Sequence, residues 1–272
     1  MISVTGHRAF HFCFSFLIIL SAAAYGESDP EEIFQFTRTQ SGLSLHKEMF
    51  MLPVTISNEY DGDRTEAVFQ ISAKHRIFGT KFYFAYTQVS FWQAYDSDNS
   101  APFRETNYNP EMFYRSDRFN WLSGRLGADI GFEHESNGQI PPVSRSWNLL
   151  YAAPYYYNSN LLVYLKLRYR IPEDEKEYPG AYEGDDNPDI TDYLGYSDLK
   201  IFYIFPWNHC IHVMVRGNLN TGKGGVVLSY SWPLPKSNFS FFCIRVSHGY
   251  GESLVDYNRE LTRVGFGIMF AR

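Results

Sequence analysis

Within GFEHESNGQIPPVSRSWN, residues 131–148, a histidine (His134) and a serine (Ser136) stand two apart, and an asparagine (Asn148) follows fourteen beyond the histidine. These three residue types can carry out acyl transfer. A serine hydroxyl is a poor nucleophile alone; an imidazole removes its proton as it attacks an ester carbonyl and then returns that proton to the leaving alcohol. An asparagine Oδ1 that accepts from the second ring nitrogen fixes the tautomer and the ring orientation, which is the task of a triad's third member. Beside lipid a neutral amide is cheaper to desolvate than a carboxylate, at the expense of weaker support for the imidazolium. The spacing alone is unspecific, since a polar strand end at headgroup level carries the same residues.

The element that must hold them is a strand. Leu126, Ala128, Ile130, Phe132, His134 and Ser136 fall on one face of an extended segment, and Arg125, Gly127, Asp129, Gly131, Glu133 and Glu135 on the other. The charged and glycine face suits a wet interior, so the face bearing His134 and Ser136 is expected to meet lipid. A histidine there is costly and needs a reason. A hairpin centred on Pro141 pairs residues whose numbers sum to 282, so that His134 opposes Asn148 and Ser136 opposes Ser146. Directly opposed Cβ atoms lie ~4.5–5.5 Å apart, within hydrogen-bonding reach.

Composition supports such a strand in a membrane barrel. The 272 residues include 23 Phe and 21 Tyr, yet mean hydropathy is negative. Alternating lipid-facing and lumen-facing residues give this combination. A net charge of −6 with acids and bases interspersed excludes a basic nucleic-acid surface. Residues 1–26 read as a secretory signal: Arg8, an apolar run from Phe12 to Leu20, then Ala22–Ala24 before Gly26. That run is shorter than the ~20 residues of a spanning helix. The remainder, 27–272, reads as one barrel domain with a short N-terminal periplasmic segment.

Period-two runs bounded by turn residues predict twelve antiparallel strands, near 47–56, 65–74, 80–93, 110–117, 123–136, 146–157, 161–171, 194–205, 209–218, 225–232, 238–247 and 261–271. The fold class is therefore an all-β, twelve-stranded transmembrane barrel, with short turns at one end and long loops at the other. Cys210 and Cys243 are placed on strands nine and eleven, too far apart to bridge, and are read as thiols on the apolar surface. The longest loop, 173–191, carries eight acidic side chains. It is either a solvated external loop or a divalent-cation site using Asp185, Asp186 or Asp189. On strand three, Phe82, Phe84, Tyr86, Gln88, Ser90 and Trp92 share a face; a lipid-facing Gln88 needs a hydrogen-bond partner, which a second barrel or an interfacial position could supply.

At HESNG (134–138), SRSWN (144–148), SAPFRETNYNPE (100–111), DDNPDITDYLGY (185–196), NTGKGG (220–225) and GYGESLVDYN (249–258) the sequence resembles the bacterial outer membrane phospholipase A family. The resemblance implies a barrel with its active site on the outer surface and a triad at His134, Ser136 and Asn148. It implies one Ca2+ per monomer in the active dimer, held by the Ser144 hydroxyl, the Gln139 main-chain carbonyl and Ser100 of the partner subunit. The Asn137 backbone N–H would help stabilise the oxyanion. Gln88 corresponds to an interface glutamine of a homodimer that is monomeric at rest. Asp186 matches one acidic residue of a second calcium site, where Pro141 replaces the other, often aspartate.

The expectation is a calcium-dependent outer-membrane hydrolase releasing acyl chains, of A1 and A2 type, from phospholipids and lysophospholipids. The alternative is a catalytically silent barrel, a porin or binding protein on the same scaffold. In that case Glu133 or Glu135, if turned toward the histidine, would disturb its protonation.

Overall fold

The structure is a computed structural model that describes residues 34–39, 42–178, 180–237 and 239–271; the expected signal segment lies outside them. In chain order the strands are β1 (Leu43–Leu45), β2 (Met49–Ser57), β3 (Glu66–Arg76), β4 (Phe82–Trp92), β5 (Phe103–Arg115), β6 (Phe119–Trp121) and β7 (Gly124–Ser136). They continue as β8 (Ser146–Tyr157), β9 (Leu161–Ile171), β10 (Ser197–Ile204), β11 (Cys210–Asn218), β12 (Lys223–Pro233), β13 (Phe241–Gly249) and β14 (Leu261–Ala271). Twelve of these pair antiparallel in a ring that the β14–β2 pairing closes; β1 lies against β3 and β6 against β7. Closure leaves no unpaired sheet edge, which a structure in hydrocarbon requires. Among the described residues no helix is long and apolar enough to cross a membrane.

The strand alternation is the expected one. Along β7, Asp129 and Glu133 are buried inside while Ile130 and Phe132 are exposed outside. The fourth barrel strand, however, starts at Phe103 rather than near 110. Its first half reads as a polar loop because the inward positions Glu105, Asn107 and Asn109 are all polar, yet all three are buried. The cysteines also differ from expectation. Cys210 and Cys243 are free, as expected, and both flank Ser231 in the register, but they point into the barrel rather than toward lipid.

The interior is packed rather than open. Lys166 pairs with Glu133, Arg168 with Asp198, and Arg115 with Asp129 at 2.7 Å. Among the described residues before β2, Phe34, Phe36 and His46 are buried inside one end of the barrel. Phe36 meets Tyr164 edge-on at 4.5 Å, its carbonyl accepts from Lys74 and Arg115, and His46 and Lys47 reach Glu111 at 2.8 and 2.9 Å.

Loops 93–102, 137–145, 172–196 and 250–260 share one end, and turns such as 158–160 and 205–209 share the other. A short helix, α1 (Ile190–Leu194), lies in the third of these loops and ends at Gly195. Gly195 has φ of 64°, and a Cβ there would stand 1.8 Å from the Gly217 carbonyl, so only glycine lets this loop bridge onto β11. Ile190, Leu194, Leu254 and Tyr257 then pack over Trp147 and Leu149 at the top of β8.

Candidate active site

The β7–β8 hairpin has the register expected from its turn. His134 opposes Asn148 and Ser136 opposes Ser146. All three candidate triad side chains lie on the outward face and are half-buried. The His134 Nδ1–H donates to Asn148 Oδ1 at 2.9 Å, leaving Nε2 as the ring nitrogen open to Ser136. Ser136 Oγ makes no hydrogen bond with the described residues, so the half-buried hydroxyl is not engaged with the imidazole in this conformation.

The neighbouring carboxylates point away from the imidazole. Glu133 accepts from Asn109 at 2.9 Å and pairs with Lys166 inside the barrel, and Glu135 accepts from Trp147 Nε1 at 2.9 Å. Neither flanking carboxylate therefore lies against the imidazole.

Asn137 shapes the loop that follows Ser136. Its Oδ1 accepts from the backbone N–H of Gln139 at 3.2 Å and of Arg145 at 3.0 Å, and its Nδ2 donates to the Val143 carbonyl at 2.8 Å. Its backbone N–H, the expected oxyanion donor, donates to the Arg145 carbonyl at 3.0 Å. Among the described residues the next N–H, that of Gly138, has no acceptor.

Loop 185–190 clamps this hairpin. Ser144 Oγ donates to Asp186 at 2.5 Å, and the buried Asn187 accepts from the Ser146 N–H at 3.0 Å. Asp185 accepts from Arg170 at 2.6 Å, and Asp189 accepts from the Tyr257 hydroxyl at 2.5 Å. Burial, then the bond to Asp189, pushes the Tyr257 phenol up from its ordinary range, so it remains a donor. Lys176, from the same acidic loop, pairs with Asp186 and donates to the Ala181 carbonyl at 2.8 Å. The three aspartates singled out as possible cation ligands are thus all bonded within the protein.

Gln139 is exposed and its carbonyl accepts no hydrogen bond from the described residues, while Ser100 is exposed in loop 93–102 with φ of 62°. On the outer face a single row crosses the sheet from Ile71 through Gln88 and Tyr108 to Ser136. At ~4.8 Å per strand, Gln88 stands two strands from Ser136. Its amide already has partners within the chain: Oε1 accepts from Tyr86 at 3.0 Å and Nε2 donates to Ser90 at 3.1 Å. Its desolvation is therefore met in the monomer.

Sequence reasoning missed one polar neighbour. Asn148 Nδ2 donates to Glu173 at 3.0 Å. The β8–β9 hairpin pairs Asn148 with Ile171, so alternation returns Glu173 to the outward face; extending that register would have found it.

A family model for phospholipase A1 matches residues 34–270. The chain is 43% identical over 188 residues to the phospholipase A1 of Escherichia coli K12, and 42% identical over 187 residues to that of Klebsiella pneumoniae. Each alignment covers 68% of this chain, which spans 60 and 61% of the length of these two relatives. Among solved structures, outer membrane phospholipase A from Escherichia coli superposes with a TM-score of 0.73 at 33% identity, covering 84% of this chain and 98% of that one. The Salmonella typhi outer membrane phospholipase dimer with bound calcium gives 0.74 at 32% identity, covering 89 and 97%. A closed twelve-stranded barrel and a match running along nearly all of it have one reading: the chain belongs to the phospholipase A1 family and is a β-barrel of the bacterial outer membrane.

Proposed function

We propose that this protein is a calcium-dependent phospholipase that hydrolyses acyl ester bonds of phospholipids and lysophospholipids, at A1 and A2 positions, by a Ser136–His134–Asn148 mechanism. The carrying observation is the His134–Asn148 hydrogen bond of 2.9 Å on the lipid-facing side of a strand that also presents Ser136. On a lipid face this arrangement is expensive unless it acts on lipid. Ser136 Oγ attacks the ester carbonyl, its proton passing to His134 Nε2, and the alkoxide leaves as that proton is delivered to it. Water, deprotonated by the same nitrogen, then releases the fatty acid from Ser136.

Oxyanion stabilisation by the Asn137 N–H requires that group to exchange its bond to the Arg145 carbonyl for one to substrate. The free Gly138 N–H is a donor that needs no such exchange.

The residues present fit a calcium ion: the free Gln139 carbonyl and the Ser144 hydroxyl, with the Asp186 carboxylate 2.5 Å from that hydroxyl, are hard oxygen donors beside the nucleophile's hairpin. Ser100 of the partner subunit would complete the set. Bound there, calcium would supply positive charge next to the developing oxyanion. Activity through a homodimer is supported by the likeness to the calcium-bound dimer of the Salmonella typhi protein; a monomer at rest is part of the same proposal. Gln88 would join that interface by giving up its bond to Ser90. The porin alternative is disfavoured by the packed interior.

Replacing Ser136 by alanine tests the reading. Purified, folded Ser136→Ala protein in detergent with calcium is expected to release no fatty acid from lysophospholipid. Retained hydrolysis would sink the mechanism.

A further inference from the structure

Glu173 has no part in the triad, yet it is the second partner of Asn148. β9 ends at Ile171, which opposes Asn148; Pro172 has no N–H to extend the ladder, and Glu173 returns to the outward face. A diagonal neighbour of this kind lies ~7–8 Å away, within reach of a glutamate. The contact is made: Asn148 Nδ2 donates to Glu173 Oε1 at 3.0 Å while Asn148 Oδ1 accepts from His134 at 2.9 Å.

The two ends of a carboxamide are nearly the same shape, so partners decide which way it faces. Turned around, Asn148 would aim its NH2 at His134 Nδ1. That nitrogen would then be the acceptor, the ring proton would sit on Nε2, and Ser136 would face an N–H in place of a base. A carboxylate only accepts. Glu173 therefore admits one orientation of Asn148, and through it one tautomer of His134. Position matters as well. Glu173 lies past the strand end in the loop, where a charge costs less than beside lipid, and the neutral amide relays it toward the imidazole.

We infer that Glu173 is a positioning residue for the reaction, extending the hydrogen-bonded line to Glu173–Asn148–His134 behind Ser136. The inference rests on the triad reading above. It is tested with full-length Glu173→Ala and Glu173→Gln proteins, each in the native and the Asn148→Ala background. Two readouts are needed: kcat and KM for lysophospholipid, and the rate at which a sulfonyl fluoride labels Ser136, which requires no phospholipid. Glu173→Ala is expected to lower kcat and the labelling rate by the same factor, about tenfold, with KM unchanged. Glu173→Gln, whose amide oxygen can still accept, recovers part of the loss. In the Asn148→Ala background the glutamate's removal changes neither rate. Native-background rates within twofold of the parent overturn the inference, as does an equal loss in the Asn148→Ala background, which would make Glu173 merely structural. If Ser136 is unlabelled and Ser136→Ala still hydrolyses lipid, the triad reading falls and the inference with it; a labelled Ser136 indifferent to Glu173 sinks the inference alone.

Discussion

Asn148→Ala isolates the third member of the site. The substitution removes the acceptor 2.9 Å from His134 Nδ1 and leaves Glu173 without its donor at 3.0 Å. His134 is half-buried, so water replaces part of the lost bond. A hydrogen bond in a half-exposed setting contributes ~0.5–1.5 kcal/mol, and one that carries charge in the transition state ~1.5–3 kcal/mol. The imidazolium form belongs to the second class, so kcat/KM is expected to fall roughly 10- to 100-fold. That is well short of the ~10⁴-fold loss seen when a buried triad carboxylate is replaced, because an amide contributes orientation with only a dipole. The assay is fatty-acid release from lysophospholipid micelles with calcium, after heat-modifiable gel mobility has shown the barrel folded. A change under twofold would mean that something else holds the ring. A fall to the Ser136→Ala background would mean that the amide does more than orient.

Two other perturbations are separable from the chemistry. Lys176 already neutralises Asp186, whose carboxylate contacts Ser144, so Lys176→Met is expected to lower the calcium concentration for half-maximal binding several-fold by titration calorimetry. An unchanged or higher requirement would contradict the placement of the ion beside Asp186. Glu66 is fully buried and bridges Arg104 at 2.6 Å and Arg263 at 2.7 Å. Glu66→Gln leaves two buried guanidinium groups short of charge and should destabilise the barrel by about 3 kcal/mol in reversible urea unfolding. A loss below ~1 kcal/mol would show that Asp256 and Glu252, their other partners, suffice.

The strand plan was legible because strand alternation is a local property. One face of β7 had to be wet and the other dry, and that decided where His134 and Ser136 point. The failures share one cause. Glu105, Asn107 and Asn109 disguised half of β5 as a loop because polar lumen residues resemble loop residues until a closed barrel surrounds them. Cys210 and Cys243 were assigned to the apolar surface by residue type, whereas parity and a mixed interior put them inside.

By itself the sequence determined the pairing at the heart of the site. The two strands are consecutive and each has one wet and one dry face, so a one-residue slip would turn either strand inside out, and the register that centres on Pro141 sets His134 opposite Asn148. Only the tertiary structure decided what surrounds that pair. Barrel closure brings loop 185–190 onto the hairpin through Asp186 and Asn187, and Tyr257 onto Asp189. It also seats Phe36 and His46 in the interior, whereas Glu173 meets Asn148 through the register of the β8–β9 hairpin alone. The contacts of loop 185–190, Tyr257, Phe36 and His46 join residues from 41 (Ser146–Asn187) to 128 (Phe36–Tyr164) positions apart, along paths that no period describes, so they exist only once all twelve strands have closed into a ring.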